Sequence, residues 1–269
     1  MRKQVESVSS ERRSYLSAIR RRRSLIIICK IAIIIAFLGL WQLGGTMGWI
    51  NSFILSSPLR MMDSIFSLAM DGELWYHIWV TTYEVVLGFL LGTALGVFIA
   101  ICLWAWPFAR QVLEPYLVVL NSLPKIALGP VFIVWFGAGP TSIIAITIAI
   151  SVVVTIMEVL NGFIHTDEAT LTLLRSMGAT KMGLLTKVVI PANIPTIVNS
   201  LKVSVGMSWV GVIVGEFLVS RAGLGYLVVY GSQVFKMDLV MGTVLILAIE
   251  CTIMYLLVSL LEKRVRVEE

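Results

Sequence analysis

Charge is scarce in this sequence. Asp, Glu, Lys and Arg make up 14% of the 269 residues, against about 25% in an ordinary soluble domain. So few charges cannot cover the exterior of a fold that is 58% hydrophobic. That excludes a soluble enzyme, a nucleic-acid-binding domain and a disordered chain. Histidine is nearly missing: His77 and His165 are the two, and neither HExxH, GxSxG nor a Cys/His cluster occurs, so no catalytic or metal constellation is expected. Cysteine is limited to Cys29, Cys102 and Cys251, all in apolar runs without CxxC spacing, which reads as inert thiols that report no redox compartment. No GxxxxGK[ST] phosphate loop is present, so the chain itself is not expected to bind ATP or any other cofactor. No repeat of 20–50 residues and no likeness between halves appears, which leaves an inverted-repeat transporter within one chain unsupported.

Long apolar runs are plentiful instead. Their strength in hydropathy argues against a membrane β-barrel, whose strands alternate and read weakly. The fold class expected is all-α, a polytopic helical membrane protein of about six spans, each needing about 20 residues. A polar tail, 1–23, ends in Arg20-Arg21-Arg22-Arg23 and is followed by an apolar first span over 24–44. That run is too long for a signal-peptide core and no A-x-A-like cleavage site follows, so it reads as an uncleaved span. Residues 45–76 form an external loop. Within it Pro58 opens an amphipathic stretch with Met61, Ile65 and Leu68 at helical spacing, and Asp71-Gly72-Glu73 closes it, as in an interfacial helix. A five-helix core, 77–262, follows. Its spans lie at about 77–106, at 111–136 with interruptions at Pro124 and Pro130, and at 141–160, 193–218 and 238–261. A cytoplasmic loop over 161–192 separates the fourth span from the fifth, and 263–269 is a short tail.

The net charge of +5 is an orientation signal. With the N-terminus inside, fifteen of the 21 basic residues fall on the cytoplasmic side and three outside, as the positive-inside rule requires. Both termini are then cytoplasmic, in the cell (inner) membrane, and Trp104 and Trp106 mark a membrane boundary.

Polar and small residues inside spans need reasons. Gly88, Gly92 and Gly96 form a doubled GxxxG that lets helix backbones approach closely. Packing within one chain is the stronger reading, a subunit interface the other. A charge at the bilayer centre costs about 2.5–3.5 kcal/mol on insertion scales. Lys30 and Lys202 can snorkel from the cytoplasmic halves of their spans. Glu84, Glu216 and Glu250 are explained by structural pairing, with Arg221 a candidate partner for Glu216, or by an ion path. The latter defines the alternative function, an ion-coupled secondary transporter or channel. Pro124 frees a backbone carbonyl in the third span, and irregular backbone at membrane depth survives where it is buried in protein or lines a cavity. Asn121, Ser122, Pro124 and Lys125 are therefore candidates for the border of a translocation path. Lys125 suits an anionic solute, and a kink with Lys125 reaching an interface is the other reading.

The segment 161–192 carries the most information. Thr166 or Asp167 can cap a helix start, Gly178 can supply a left-handed stop, and Thr180 can cap a second short helix that Pro191 ends. Leu171, Leu174 and Met177 lie at helical spacing with Arg175 beside them, a small knob suited to docking in a partner's groove. An ordinary packed loop is the alternative. The run Gly178-Ala179-Thr180 with Val188-Val189-Ile190-Pro191 resembles the signature cytoplasmic loop of ABC importer permeases, EAA, three residues, Gly, nine residues, I-x-L-P. The Glu-Ala-Ala of that pattern falls on Thr172, Leu173 and Leu174, while Glu168-Ala169 sit one turn earlier. Ser122-Leu123-Pro124-Lys125, Trp135-Phe136-Gly137-Ala138-Gly139, and Trp209 through Gly215-Glu216-Phe217 with Gly223-Leu224-Gly225 resemble the nitrate, sulfonate and taurine subfamily. The resemblance covers roughly 55–262.

The resemblance implies a type I importer permease that moves a small anionic or organic solute by alternating access. Its partners would be a dimer of ABC ATPase subunits, which hold ATP and Mg, an extracytoplasmic solute-binding protein, and a second permease copy in the lipid membrane, with no nucleic acid. Glu168, Ala169, Leu174, Arg175, Ser176, Met177, Gly178, Ala179, Thr180 and Pro191 would couple to the ATPase. The third and fifth spans would line the path, with Asn121, Ser122, Pro124 and Lys125 from one and Ser208, Trp209 and Glu216 from the other.

Overall fold

A computed structural model describes residues 10–49 and 51–267. Residues 1–9 of the N-terminal tail and 268–269 of the C-terminal tail lie outside the described residues. The chain divides into two compact units, Met1–Asp63 and Ser64–Glu269. Among the described residues all regular structure is helical.

The first unit holds α1 (Ser10–Thr46) and α2 (Ser52–Leu55), and α3 (Pro58–Met70) starts in it. The apolar part of α1, Ser24–Thr46, is 23 residues long, about 35 Å at 1.5 Å per residue. That length spans a bilayer core. None of its most apolar stretch is buried by protein, so lipid is the solvent that its side chains require. Helix α3 forms over the stretch that Pro58 was expected to open. Its Ile65, Leu68 and Ala69 pack on a small core formed by Leu74, Leu224 and Leu227.

The second unit is built around α7 (Pro140–Ile164), which packs along α4 (Glu73–Ala105) and along α11 (Ile194–Val219). More than half of the apolar window of α7 is buried, against 11% for α13 (Met237–Val267). The cause is legible in the small residues. Gly88, Gly92 and Gly96 on α4 face Thr147, Ser151 and Thr155 on α7, and Gly211 and Gly215 on α11 face Thr147 and Ile143. Spacing by four puts each set on one helix face, and without Cβ atoms the backbones approach closely. The α7 hydroxyls stay satisfied by bonding back to the carbonyls of Ile143, Thr147 and Ser151 at 2.8–3.0 Å. Thr155 also shares a 2.6 Å hydrogen bond with Ser204 of α11. Lys202 does not simply snorkel: it forms an ion pair with Glu262 of α13.

The third span differs from expectation. Instead of one kinked helix there are α5 (Pro107–Ser122), a 3-10 turn (Lys125–Leu128) and α6 (Gly129–Phe136), and the two arms meet at 90°. Pro124 breaks the helix as predicted. Pro130 does not interrupt a helix, because it lies in the first turn of α6, where a missing N–H costs nothing. Among the described residues five helices are therefore long and apolar enough to cross a membrane, or six if the bent pair counts as one span.

Candidate functional site

Three features of the second unit bear on function. The first is the element between α7 and α11. Helix α8 (Glu168–Ser176) starts at Asp167, whose side chain accepts the Thr170 N–H at 2.9 Å. Hydrogen bonds from the Thr170 hydroxyl and then its N–H hold the Asp167 carboxyl below its ordinary value. Helix α8 ends in a Schellman arrangement. Gly178 has φ +85°, its N–H donates to Arg175 O at 3.0 Å, and the Ala179 N–H donates to Leu174 O at 3.0 Å. Thr180 then caps α9 (Lys181–Leu184) by accepting the Gly183 N–H at 3.2 Å.

Pro191 does not end this second helix. A π-helical segment, Leu185–Val189, passes directly into α10 (Ile190–Ala192), and α11 follows after Asn193. A widened π turn is a recognised way to carry a chain past a missing backbone donor. Asn193 closes the element: its Nδ2 donates to Val189 O at 2.8 Å and to Thr166 Oγ1 at 2.7 Å.

The predicted apolar stripe is split. Leu171 is buried and Leu174 is half-buried, both against the core of Leu160, Phe163, Leu184 and Val189. Helix faces cannot serve both core and partner, and these two leucines anchor α8 inward. The outward apolar surface is Leu173, Met177 and Met182. Glu168, Ala169, Arg175, Ser176, Gly178, Ala179 and Thr180 are exposed as well.

The second feature is the broken third span. Lys125 folds back, its Nζ donating to Asn121 O at 3.1 Å. It thereby caps the C-terminal end of α5, a favourable place for a cation. Asn121, Ser122 and Pro124 are exposed on this chain. Asn121 lines a cavity of about 390 Å³ between α5 and α7, together with Glu114, Val118, Val154, Glu158 and Asn161. Glu114 and Asn161 carried no sequence signal. Their convergence depends on how α5 lies against α7.

The third feature is a group of carboxylates. Glu84 and Glu216 are each 1% exposed. Three successive N–H groups open α12 (Leu224–Gln233), and each has a side-chain acceptor. Gly223 donates to His77 Nδ1 at 2.9 Å, Leu224 to Thr81 Oγ1 at 2.7 Å, and Gly225 to Glu216 Oε2. Thr81 Oγ1 in turn donates to Glu216 Oε1 at 2.7 Å. His77 and Thr81 are one turn apart on α4, so both reach the same helix start, where a carboxylate suits the dipole. Glu216 thus pairs with Thr81 and Gly225, not Arg221. Ser208 and Trp209 are buried too, Trp209 in the core with Val85, Phe89 and Val212. These three fifth-span residues pack inside the chain itself. Glu250 accepts from Thr82 at 3.5 Å. Glu84 has no hydrogen-bond donor and borders a cavity of about 460 Å³ with Tyr76 and Arg221.

Comparison with known proteins bears on what these features do. Residues 92–267 match the family described as binding-protein-dependent transport system inner membrane component. A probable ABC transporter permease of Haemophilus influenzae is 33% identical over 220 residues, covering 81% of this chain and 88% of that protein. A putative aliphatic sulfonates transport permease of Bacillus subtilis is 29% identical over 233 residues, covering 87% and 83%. The taurine transport system permease of Escherichia coli is 25% identical over 240 residues, covering 87% of each. A chain in the crystal structure of a bacterial ABC transporter for alginate import superposes with a TM-score of 0.64 at 15% identity, over 93% of this chain and 99% of that one. That likeness speaks to the fold.

Proposed function

Because the chain belongs to the family of binding-protein-dependent transport inner membrane components and is a permease subunit of an ABC importer, we propose that its segment from Glu168 to Ala192 couples solute movement to a separate ATPase. The supporting observation is the doubly capped element itself. Two short helices are locked by Asp167, Gly178, Thr180 and Asn193, anchored inward by Leu171 and Leu184, and left with Leu173, Met177 and Met182 outward. A rigid knob with an apolar tip transmits a push, whereas a slack loop absorbs it. ATP is bound with Mg²⁺ and hydrolysed on a partner ATPase dimer. An extracytoplasmic binding protein delivers solute, and a second permease copy completes the path. The element faces the cytoplasm, as do both termini, because the basic residues concentrate there.

Gly178→Val tests the coupling role. A β-branched residue at φ +85° is strained by about 1–3 kcal/mol, enough to unlock the Schellman turn. The variant is expected to insert and assemble, with ATP hydrolysis no longer driving uptake into vesicles. Wild-type uptake per ATP in that variant overturns the assignment.

The relatives point to a sulfonate-class solute. The cavity lined by Glu114, Asn121, Glu158 and Asn161 favours, within that class, a solute that also carries an amine. Lys125 Nζ donates to Asn121 O, which turns its charge toward the end of α5. Glu158→Gln is therefore expected to slow uptake of an aminosulfonate about tenfold, the loss of one charged hydrogen bond, and to spare an alkanesulfonate. Equal effects on both solutes count against this choice.

A further inference from the structure

A second cavity, of about 420 Å³, lies under α8 where α4 turns into α5. Its lining is divided by chemistry. Arg110, Arg175 and Lys181 supply positive charge against one carboxylate, Glu168, while Trp104, Phe163 and Leu184 supply an apolar wall. The Nε of Arg110 is buried without a hydrogen-bond partner. A guanidinium nitrogen taken out of water without an acceptor is costly, and three cations around one cavity repel each other unless an anion sits among them. No hydrogen bond or ion pair within the described residues engages the side chains of Arg175 or Lys181, and both are exposed. The cavity therefore wants an anion on one side and apolar matter on the other.

The position narrows the choice. Trp104 and Trp106 end an apolar helix of 33 residues, and tryptophan favours the headgroup level of a bilayer. Arg110 stands one turn beyond, and a boundary at Trp104 and Trp106 puts it level with lipid phosphates. A guanidinium fork matches phosphate geometry, and basic pockets between membrane helices hold anionic headgroups by this chemistry. We propose that this cavity binds the phosphate-bearing headgroup of an anionic phospholipid, with Arg110, Arg175 and Lys181 on the phosphate and the wall of Trp104 and Phe163 along the start of the acyl chains. A bound lipid would brace the underside of α8. That consequence rests on the coupling role above, whereas lipid binding itself does not, and the two can fail separately.

The test uses the full chain, delipidated in detergent and offered equal phosphatidylglycerol and phosphatidylcholine, with retained lipid counted by native mass spectrometry. Phosphatidylglycerol is expected to be retained preferentially. The preference should fall about fivefold for each of Arg110→Gln, Arg175→Gln and Lys181→Gln, and should be unchanged in Lys236→Gln, outside the cavity. Lys181 is exposed, so its variant keeps the test valid if Arg110→Gln fails to fold. No preference in the wild type, or a preference indifferent to all three substitutions, overturns the proposal. Displacement of the lipid by millimolar inorganic phosphate assigns the site to a soluble anion and overturns the lipid assignment. In vesicles, Lys181 should be shielded from acylating reagents by phosphatidylglycerol alone. Shielding that needs an added protein partner and is equal in both lipids gives the cavity to that partner instead.

Discussion

Gly211→Ala is expected to unfold the helical core or leave it poorly assembled, although one methyl is all it adds. A Cβ at Gly211 would lie 2.7 Å from the Cα of Thr147 and 3.0 Å from its Oγ1. The nearest obstacle is backbone, so no rotamer change relieves it, and α11 must move away from α7. Thr147 is also pressed from the opposite side by Gly88 of α4, which leaves α7 no room to yield. Overpacking of this kind costs about 1–3 kcal/mol and sometimes more, and here it acts at the contact joining all three central helices. Gly206→Ala on the same helix is the control: nothing lies within 4 Å of its added Cβ, so it should be neutral or slightly stabilising. Thermal unfolding of the purified protein in detergent, followed by size-exclusion, separates the two. Equal melting of the two variants would refute the close approach of α11 to α7.

Gly223→Ala should be comparably damaging by a different route. Its φ of +109° is costly for any residue with a side chain, and the new Cβ would press into the Glu216 carboxyl group. Displacing Glu216 breaks its hydrogen bonds with Thr81 and Gly225, and charge-assisted bonds contribute about 1.5–3 kcal/mol each. The expected result is loss of the α12 start and a large drop in thermal stability. Gly178→Ala offers the comparison, because φ there is +85° but the space is open. It should show backbone strain alone. If Gly223→Ala melts no lower than Gly178→Ala, the Glu216 clamp is not what holds α12.

Much of this was open to reading before any coordinates. The apolar runs placed α4, α7 and α11 to within about four residues, since a bilayer leaves few other uses for them, whereas α1 runs back to Ser10 through the polar tail. Asp167, Gly178 and Thr180 declared the caps of α8 and α9, because capping depends on a residue and its next few neighbours. Sequence and structure part where one residue type has two uses. Pro124 and Pro130 looked alike, yet one breaks a helix and the other begins one. Leu171, Leu174 and Met177 share a spacing but divide between core and surface, because the amphipathic period does not say which face a neighbour will cover.

The polar residues of the fifth span show the same boundary more sharply. The family resemblance places Ser208, Trp209 and Glu216 beside a solute path, with structural pairing the other reading for Glu216. Glu216 is held by Thr81 and Gly225 and the Trp209 ring packs among side chains of α4 and α7, while Ser208 Oγ and Trp209 Nε1 are buried without a hydrogen-bond partner. The sequence by itself determined a multi-pass helical membrane protein, its capped loop and its charge asymmetry, all consequences of local chemistry and of lipid as solvent. Tertiary structure alone decided which polar residues are used up in packing and which remain to meet solute, lipid or partner. Burial and hydrogen bonding between helices more than a hundred residues apart depend on how the helices come together, and no local pattern encodes that distance.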